Sequence, residues 1–440
     1  MCVHLFGATS SPGVATFGLR QIATEQGKSS QVKAINFIRS SFYVDDGVIS
    51  VPSIPEAISL FEDTKEILQK GGLTCHKVKS NARAFLDAFS DSGLAPMESD
   101  EVKTLGVPWN TSQDQLFIPL ANIPLQITKR SLLSAISQVY DPLGFTSPIS
   151  LWGKAILQEM QRQGLDWDEE CPKPIIKRVK SLQEFISLNT PVSVERYIGL
   201  PHGCDDLEVH IFSDASTIGY AAAAYLRFKD DCGVYKFAFL LGKARVAPLS
   251  PTHTVPRLEL IAAVLAVSLF IVLSNEMHVD VKIFKFWTDS QIVLSYIKNS
   301  HTKFKTFVSN RVSFILSHTK AEMWYHVKGS ENPADFGSRG IWSSGWLSGP
   351  KFLEQPQTEN DGEPFILTAN DPEVICNLVQ TTVTDSFNLP LLNSWLKTLR
   401  LWAWIFRWVH NTSHKINRWK GDLSFPEMQQ AQIKLLKAVQ

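Results

Sequence analysis

Asp214, Glu259, Asp289 and Asp335 stand where carboxylates in this 440-residue chain could act together. Asp214 directly follows a strand-like run, Leu207 to Phe212. Glu259 falls in the first turn of a helix that begins near Pro256, a residue favoured at that position. Asp289 lies just beyond the strand pattern Val281 to Trp287. Asp335 follows a last strand, Trp324 to Val327, and the polar turn Lys328 to Pro333. Acids at the ends of adjacent strands can converge on one point. Crowded carboxylates repel and raise one another's pKa. A pair of hard divalent cations removes that penalty, and Mg²⁺, with Mn²⁺ as its substitute, prefers carboxylate oxygen. Two such ions activate a water and stabilise the leaving oxygen of a phosphodiester. Each acid taken singly has a plainer explanation. Asp289-Ser290 could cap the helix Gln291 to Lys298, and Glu259 could favour a helix start through the dipole. The functional reading rests on the ordered set.

The elements that must position these acids read as a mixed α/β domain. Strands dominate from Leu207, then comes one long apolar helix, another strand and further helices. The apolar run Leu260 to Leu273 is shorter than a bilayer span of roughly 20 residues and reads as a buried helix, so no membrane is expected. Upstream, Thr128 is a plausible N-cap for Ser131 to Tyr140, and two more helices are expected over 147–163 and 173–188. Residues 55–70 show an amphipathic helical pattern that ends at Gly71-Gly72. Phe42 to Ile49 reads as a hairpin with Asp45 and Asp46 at its bend, and short strands are expected near 73–78 and 103–107. Pro350 to Asp371 has linker composition, and a tryptophan-rich helical stretch, Trp395 to Trp408, follows.

Composition sets the outer limits. Hydrophobic content of 44% and charged content of 20% are globular values, enough for a sizeable core. With Lys+Arg and Asp+Glu both at 43, formal net charge is zero, so no global field draws a polyanion. The six cysteines include no CxxC pair, which argues against a zinc knuckle or a disulfide framework. That usage, with no evident signal peptide, points to an intracellular protein.

Four segments carry a resemblance. Phe212 to Ser216, Pro256 to Leu260, Trp287 to Ser290 and Glu331 to Arg339 resemble, in order, the RNase H domain of BEL/Pao-type LTR retrotransposon Pol polyproteins. The resemblance implies that Asp214, Glu259, Asp289 and Asp335 bind two Mg²⁺ and that the RNA strand of an RNA–DNA hybrid is cut. It also offers His326, ahead of the last acid, for proton transfer or product release, although a strand histidine is more often structural. A hybrid is recognised by duplex shape and by the 2′-hydroxyl. Lys298, His301, Lys303, Lys305 and Arg311 are candidate phosphate contacts, or an ordinary solvated face.

Tyr43-Val44-Asp45-Asp46 resembles the catalytic hairpin of reverse transcriptases, and Leu105 to Trp109 the hairpin that grips the primer. The resemblance implies a third polymerase carboxylate on a strand upstream of residue 1, so Asp45 and Asp46 read as vestigial and no polymerase activity is expected from this chain alone. The segment Leu423 to Lys437 resembles the region before the zinc-binding part of a retroelement integrase. The expected fold class is α/β multidomain, in five parts: a partial reverse-transcriptase palm at 1–118, a helical thumb or connection at 119–195, an RNase H-like mixed-sheet domain at 196–345, a linker at 346–372 and a helical pre-integrase tail at 373–440. Expected partners are an RNA–DNA hybrid and the remainder of a Pol polyprotein. Two competing readings stand beside this one. A remnant could still fold and hold nucleic acid or protein without catalysis. An aspartic peptidase would need Asp91-Ser92-Gly93, which follows a helical stretch where such enzymes use a strand-linked loop.

Overall fold

A computed structural model describes residues 9–89, 101–120, 122–124, 126–201, 204, 206–249, 253–277, 283–299, 302–355, 371–374, 395–413, 419 and 421–439. Two compact units divide the chain, Met1–Ile375 and Cys376–Gln440.

The first unit opens with helices α1 (Ser11–Gln26) and α2 (Val32–Ser40), the two-residue strands β1 (Phe42–Tyr43) and β2 (Asp46–Gly47), then α3 (Ile54–Lys70) and α4 (Arg83–Asp87). The amphipathic pattern forms its helix almost as expected, with Ser53 as N-cap and a proline in the first turn. Leu19, Ala23, Ala34, Ile38, Leu60 and Ile67 make the small core between α1, α2 and α3. In the hairpin Tyr43 pairs with Asp46, so Val44 and Asp45 alone form the bend, and Asp46 stands in β2. The strand expected near 73–78 does not form; residues 73–80 have no regular structure. Asp91-Ser92-Gly93 lies outside the described residues.

Next come β3 (Glu101–Thr104), β4 (Val107–Asn110) and β5 (Gln115–Ile118), then α5 (Lys129–Ser137), α6 (Ser147–Arg162), α7 (Lys173–Asn189) and β6 (Val192–Glu195). Leu105 and Gly106 both have positive φ, at 49° and 87°, the geometry of the two-residue turn that joins twisted antiparallel strands. The segment read as purely helical therefore ends in a strand. β6 returns to pair antiparallel with β5, Ile118 opposite Val192, and closes the sheet β3-β4-β5-β6. Its core of Ile118, Leu132, Ile156, Ile175, Val179 and Leu182 lies between the three helices and the sheet.

A five-stranded mixed sheet follows: β7 (Glu208–Ala215), β8 (Gly219–Lys229), β9 (Tyr235–Val246), then α8 (Val255–Glu276), β10 (Ile283–Thr288), α9 (Gln291–Lys298), α10 (Thr306–His318), β11 (Trp324–His326), α11 (Ala334–Arg339) and α12 (Gly345–Ser348). The order is β11-β10-β7-β8-β9. The first three strands form an antiparallel meander, while β10 runs parallel to β7 and β11 parallel to β10. This is the RNase H-like arrangement. One face packs Ile211, Ala222, Ala224, Phe286 and Trp324 against α8, α9 and α10. By length and composition α8 could cross a membrane, yet Leu260, Ala263, Ala266 and Leu269 are buried in this core. The other face packs Phe212, Ala221, Ala223, Tyr225 and Trp287 against Leu151 of α6, Trp346 and Leu353.

Two features of that second face depart from the expected organisation. Helix α6, read as part of a separate connector, covers the sheet: Gln158 bonds to the Ala247 carbonyl, and the Trp346 indole donates to the Gly144 carbonyl at 3.0 Å. Residues 346–355, read as the start of a linker from their composition, also pack on it. Trp346 and Leu353 are fully buried, and the carbonyls of Leu353 and Gln355 accept from buried Arg227. Two apolar anchors and a guanidinium outweigh the polar residues around them.

The run Ala221 to Ala224 has poor intrinsic strand propensity, but its small side chains let helices approach both faces. A methyl group added at Gly337 of α11 would lie 2.6 Å from Ala221 Cβ and 2.6 Å from Trp346 Cζ3. Helix α11 therefore sits on β8 at a distance only glycine allows.

In the second unit, α13 (Trp395–Ser413) and α14 (Phe425–Val439) pack through Leu399, Ala403 and Ala431. A buried ion pair, Arg407 to Glu427 at 2.5 Å, joins them.

The tight seat of α11 gives the first prediction. Gly337→Ala should lower stability by about 1–3 kcal/mol, the usual cost of overpacking. Thermal melting checks this, and an unchanged midpoint would show that the seat has slack.

Candidate active site

The structure brings the four predicted acids to one end of the five-stranded sheet. Asp214 is the penultimate residue of β7 and is buried at 5% exposure. Asp289 follows the last residue of β10. Glu259 lies in the first turns of α8, and Asp335 in the first turn of α11 rather than in a preceding turn. Because β7, β10 and β11 are parallel, their C-terminal ends meet at this edge.

Three of the four acids have a positioning partner. Ser338 donates its hydroxyl to Asp214 Oδ2. Ser290 donates to Glu259 Oε2 at 2.5 Å and accepts from the Val293 amide at 3.2 Å. The helix cap is thus Ser290, which leaves Asp289 free of that structural duty. Arg339 pairs with Asp335 one helical turn away. Asn332 fastens the ends of two elements: its side chain donates to the Ser213 carbonyl at 3.0 Å and accepts from the Ala334 amide at 3.1 Å. Ser290, Asn332, Ser338 and Arg339 all lay within the sequence motifs, but sequence reasoning gave them no role. Their one visible signal was a polar residue at short spacing from an acid.

The electrostatics are those of crowded carboxylates. Burial first, and then the neighbouring Asp289 carboxylate, push Asp214 up to about 7, while the Ser338 hydroxyl opposes the shift. Burial and then Glu259 raise Asp289, and Asp214 lies within hydrogen-bond reach of it. Burial also raises Glu259, with Asp214 adding to the shift. The Oδ1 atom of Asp289 is buried and finds no hydrogen-bond partner among the described residues.

His326 ends β11 opposite Thr288. Strand alternation puts it on the face of Phe286 and Trp324, the face that α8 covers. Among the described residues no hydrogen bond or ion pair joins it to any of the four acids. Lys298, Lys303 and Lys305 are exposed, and His301 lies outside the described residues. Arg311, a candidate phosphate contact or part of a solvated face, packs on a neighbour in its own helix. Its guanidinium lies 3.5 Å from the centre of the Phe307 ring and donates to the Phe307 carbonyl at 3.0 Å. Asp45 and Asp46 are exposed on their hairpin in the other part of the unit.

Among the described residues no three His, Cys, Asp or Glu side chains are gathered closely enough to grip a metal ion as they stand. The donor set nevertheless fits a hard divalent cation: all oxygen, buried or half-buried, with Asp214, Glu259 and Asp289 raised in pKa and one orphaned oxygen on Asp289.

A pH dependence follows from the raised acids. A folded-state pKa above the unfolded value contributes stability that is present below about pH 4 and lost as pH rises through the folded value, about 7 for Asp214. Asp214→Asn should therefore stabilise the chain at pH 8 by at least about 1.4 kcal/mol, the worth of one pKa unit, and hardly at all at pH 4. Denaturation at the two pH values measures this, and equal effects at both would show that Asp214 carries no such strain.

Comparison with known proteins bears on this geometry. No curated protein matches the chain. Among solved structures, LC11-RNase H1, isolated from compost by a metagenomic approach and solved with an RNA/DNA hybrid, is 12% identical over 30% of this chain and 91% of its own, with a TM-score of 0.19. RNase H1 from the halophilic archaeon Halobacterium salinarum NRC-1 is 12% identical over 29% of this chain and 90% of its own, with a TM-score of 0.18. A foamy viral protease-reverse transcriptase with double-stranded DNA is 12% identical over 74% of this chain, with a TM-score of 0.19. The chain spans about half of that protein, 51%. These scores are too low to bear on the fold, which rests on strand order and register. A family model, the Pao retrotransposon-like RNaseH-like domain, matches residues 128–290. The match starts at the N-cap of α5 and ends after Asp289, so it takes in Asp214 and Glu259 but not His326 or Asp335. It also joins the helical connector to the sheet, as the packing of α6 does. Over residues 128–290 the chain is therefore similar to a Pao retrotransposon-like RNaseH-like domain.

Proposed function

We propose that Asp214, Glu259, Asp289 and Asp335 hold two Mg²⁺ ions and cleave the RNA strand of an RNA–DNA hybrid. The buried Asp289 Oδ1 carries the reading. It is a carboxyl oxygen with no hydrogen-bond partner among the described residues, set amid three further acids. Such a group is costly unless something positive meets it. Bound there, a pair of hard cations would supply an activated water and charge for the leaving oxygen. The match to an RNaseH-like domain at 128–290 supports this substrate class.

The chain's own groups then have defined tasks. Asp214, pushed up to about 7 by burial and then by Asp289, would exchange its proton for a cation near neutral pH, and Asp289 is raised by burial and then by Glu259. Ser338 and Ser290 fix one oxygen each of Asp214 and Glu259. Arg339 must release Asp335 for it to join the set. Exposed Lys298, Lys303 and Lys305 are placed to meet the hybrid backbone. The exposed pair Asp45 and Asp46 takes no part in this chemistry.

Wild-type protein should cut hybrid with Mg²⁺ or Mn²⁺, and Asp289→Asn should lose at least about a hundredfold in rate, the scale of a lost charge-stabilising group. The same variant should lose most of the Mg²⁺-induced rise in melting temperature seen at pH 8. Equal background cutting by both proteins would sink the nuclease reading and favour a non-catalytic remnant.

The polymerase-like hairpin gives a separate expectation. Primer extension by the chain should not exceed that of an Asp45→Asn, Asp46→Asn control. Extension above that control would restore a polymerase role to the hairpin.

A further inference from the structure

We infer that the segment Asp371–Val374 is an internal competitor, whose carboxylates occupy a cationic surface beside the acid site that a nucleic-acid backbone would otherwise take. The inference rests on the proposed nucleic-acid substrate. The segment is seated by several contacts of different kinds. Arg257 Nε donates to Glu373 Oε1 at 2.7 Å. The Lys305 amide donates to the Glu373 carbonyl at 2.9 Å, and Phe304 and Val374 form an antiparallel bridge. The Tyr296 hydroxyl reaches both oxygens of Asp371, at 3.2 and 3.3 Å.

The surface beneath is built for an anion. The guanidiniums of Arg257 and Arg311 lie 4.8 and 3.5 Å from the centre of one ring, Phe307, and repel each other there. Arg257 stands two residues before Glu259, and Tyr296 seven after Asp289, so the surface belongs to the elements that carry the acids.

Glu373 fills this surface incompletely. Its Oε2 is buried without a hydrogen-bond partner among the described residues, as is Nδ1 of His253, whose ring lies 4.8 Å from Phe307. Asp371 takes the long Tyr296 contacts on both oxygens, and its Oδ1 also accepts from the Glu373 amide at 2.8 Å. A phosphodiester brings acceptor oxygens in several directions and can use donors that one carboxylate leaves idle. Strap and backbone therefore exclude each other on Arg257.

The test uses the full chain and a short hybrid whose RNA strand is 2′-O-methylated, so that binding is read without cleavage. Fluorescence anisotropy with Glu373→Gln should show roughly fivefold tighter binding and a salt slope steeper by about one unit. Arg257→Gln should weaken binding, and the double variant should bind no better than Arg257→Gln alone. A purely structural tie predicts instead a lower melting temperature with unchanged or weaker binding, and that result overturns the proposal. So does a failure of every variant to bind. Should Glu373→Gln not fold, Asp371→Asn, which removes the negative charge while keeping an acceptor oxygen for the Glu373 amide, must shift binding in the same direction; no tightening there also overturns it. Cleavage of an ordinary hybrid is scored separately. Tighter binding without any cleavage leaves the competitor standing and removes the nuclease; cleavage with no effect of Glu373→Gln does the reverse.

Discussion

Like charges gathered in a half-dry pocket are the constraint that organises the end of the main sheet. Asp214 is almost fully buried and has Asp289 within hydrogen-bond reach, with Glu259 and Asp335 close enough to be felt. Folding would scatter such a set unless other groups restrained it. The restraint is distributed over Ser338, Ser290 and Arg339, one for each of three acids. Each partner is itself held by structure: Ser290 as a helix cap, Ser338 and Arg339 by the short helix that Asn332 fastens to β7. The site thus stores electrostatic strain in a frame that does not depend on the acids for its own cohesion.

That frame needs close approach on both faces of the sheet. The alanines of β8 supply it, with α8 over Ala222 and Ala224 and with α11 and Trp346 over Ala221 and Ala223. Larger residues there would have lifted α11, and Asp335 with it, away from Asp214. The same closeness explains why α6 and residues 346–355 belong to this layer. A face lined by Phe212, Tyr225 and Trp287 must be covered, and chain from both sides of the sheet's own sequence covers it. Burial of that face stabilises the unit through apolar area at roughly 25 cal/mol per Å², which no polar linker could replace.

Much of this was legible in the sequence. The helices over 54–70, 147–162 and 173–189 follow from periodicity, caps and prolines, because those signals are local. The four acids were legible through their order along strands and helix starts, since parallel strands bring their C-terminal ends together whatever the loops do. What escaped depends on contacts distant in sequence. The return of β6 to β5 spans the three helices between them. Residues 346–355 looked like linker because composition averages over a window, whereas two buried side chains and Arg227 decide their fate. Arg311 looked free because a sequence does not show that Phe307, one turn earlier, takes its guanidinium.

The charge balance leads to a last step. A chain with equal numbers of acidic and basic residues has no long-range field to attract a duplex, so affinity must come from local cations. Near the acids, two of those cations are already engaged within the chain: Arg339 by Asp335 and Arg257 by Glu373. On the proposed function, binding of a polyanion here would be an exchange, in which an internal carboxylate leaves as a phosphate arrives. The two exchanges have different consequences. Release of Glu373 frees a cation beside the site, whereas release of Asp335 also frees an acid that the site can use. An arriving backbone that draws Arg339 away would complete the carboxylate set at the moment substrate is present. The pairing of Asp335 with Arg339 thereby limits carboxylate repulsion until there is a phosphate to take the arginine's place.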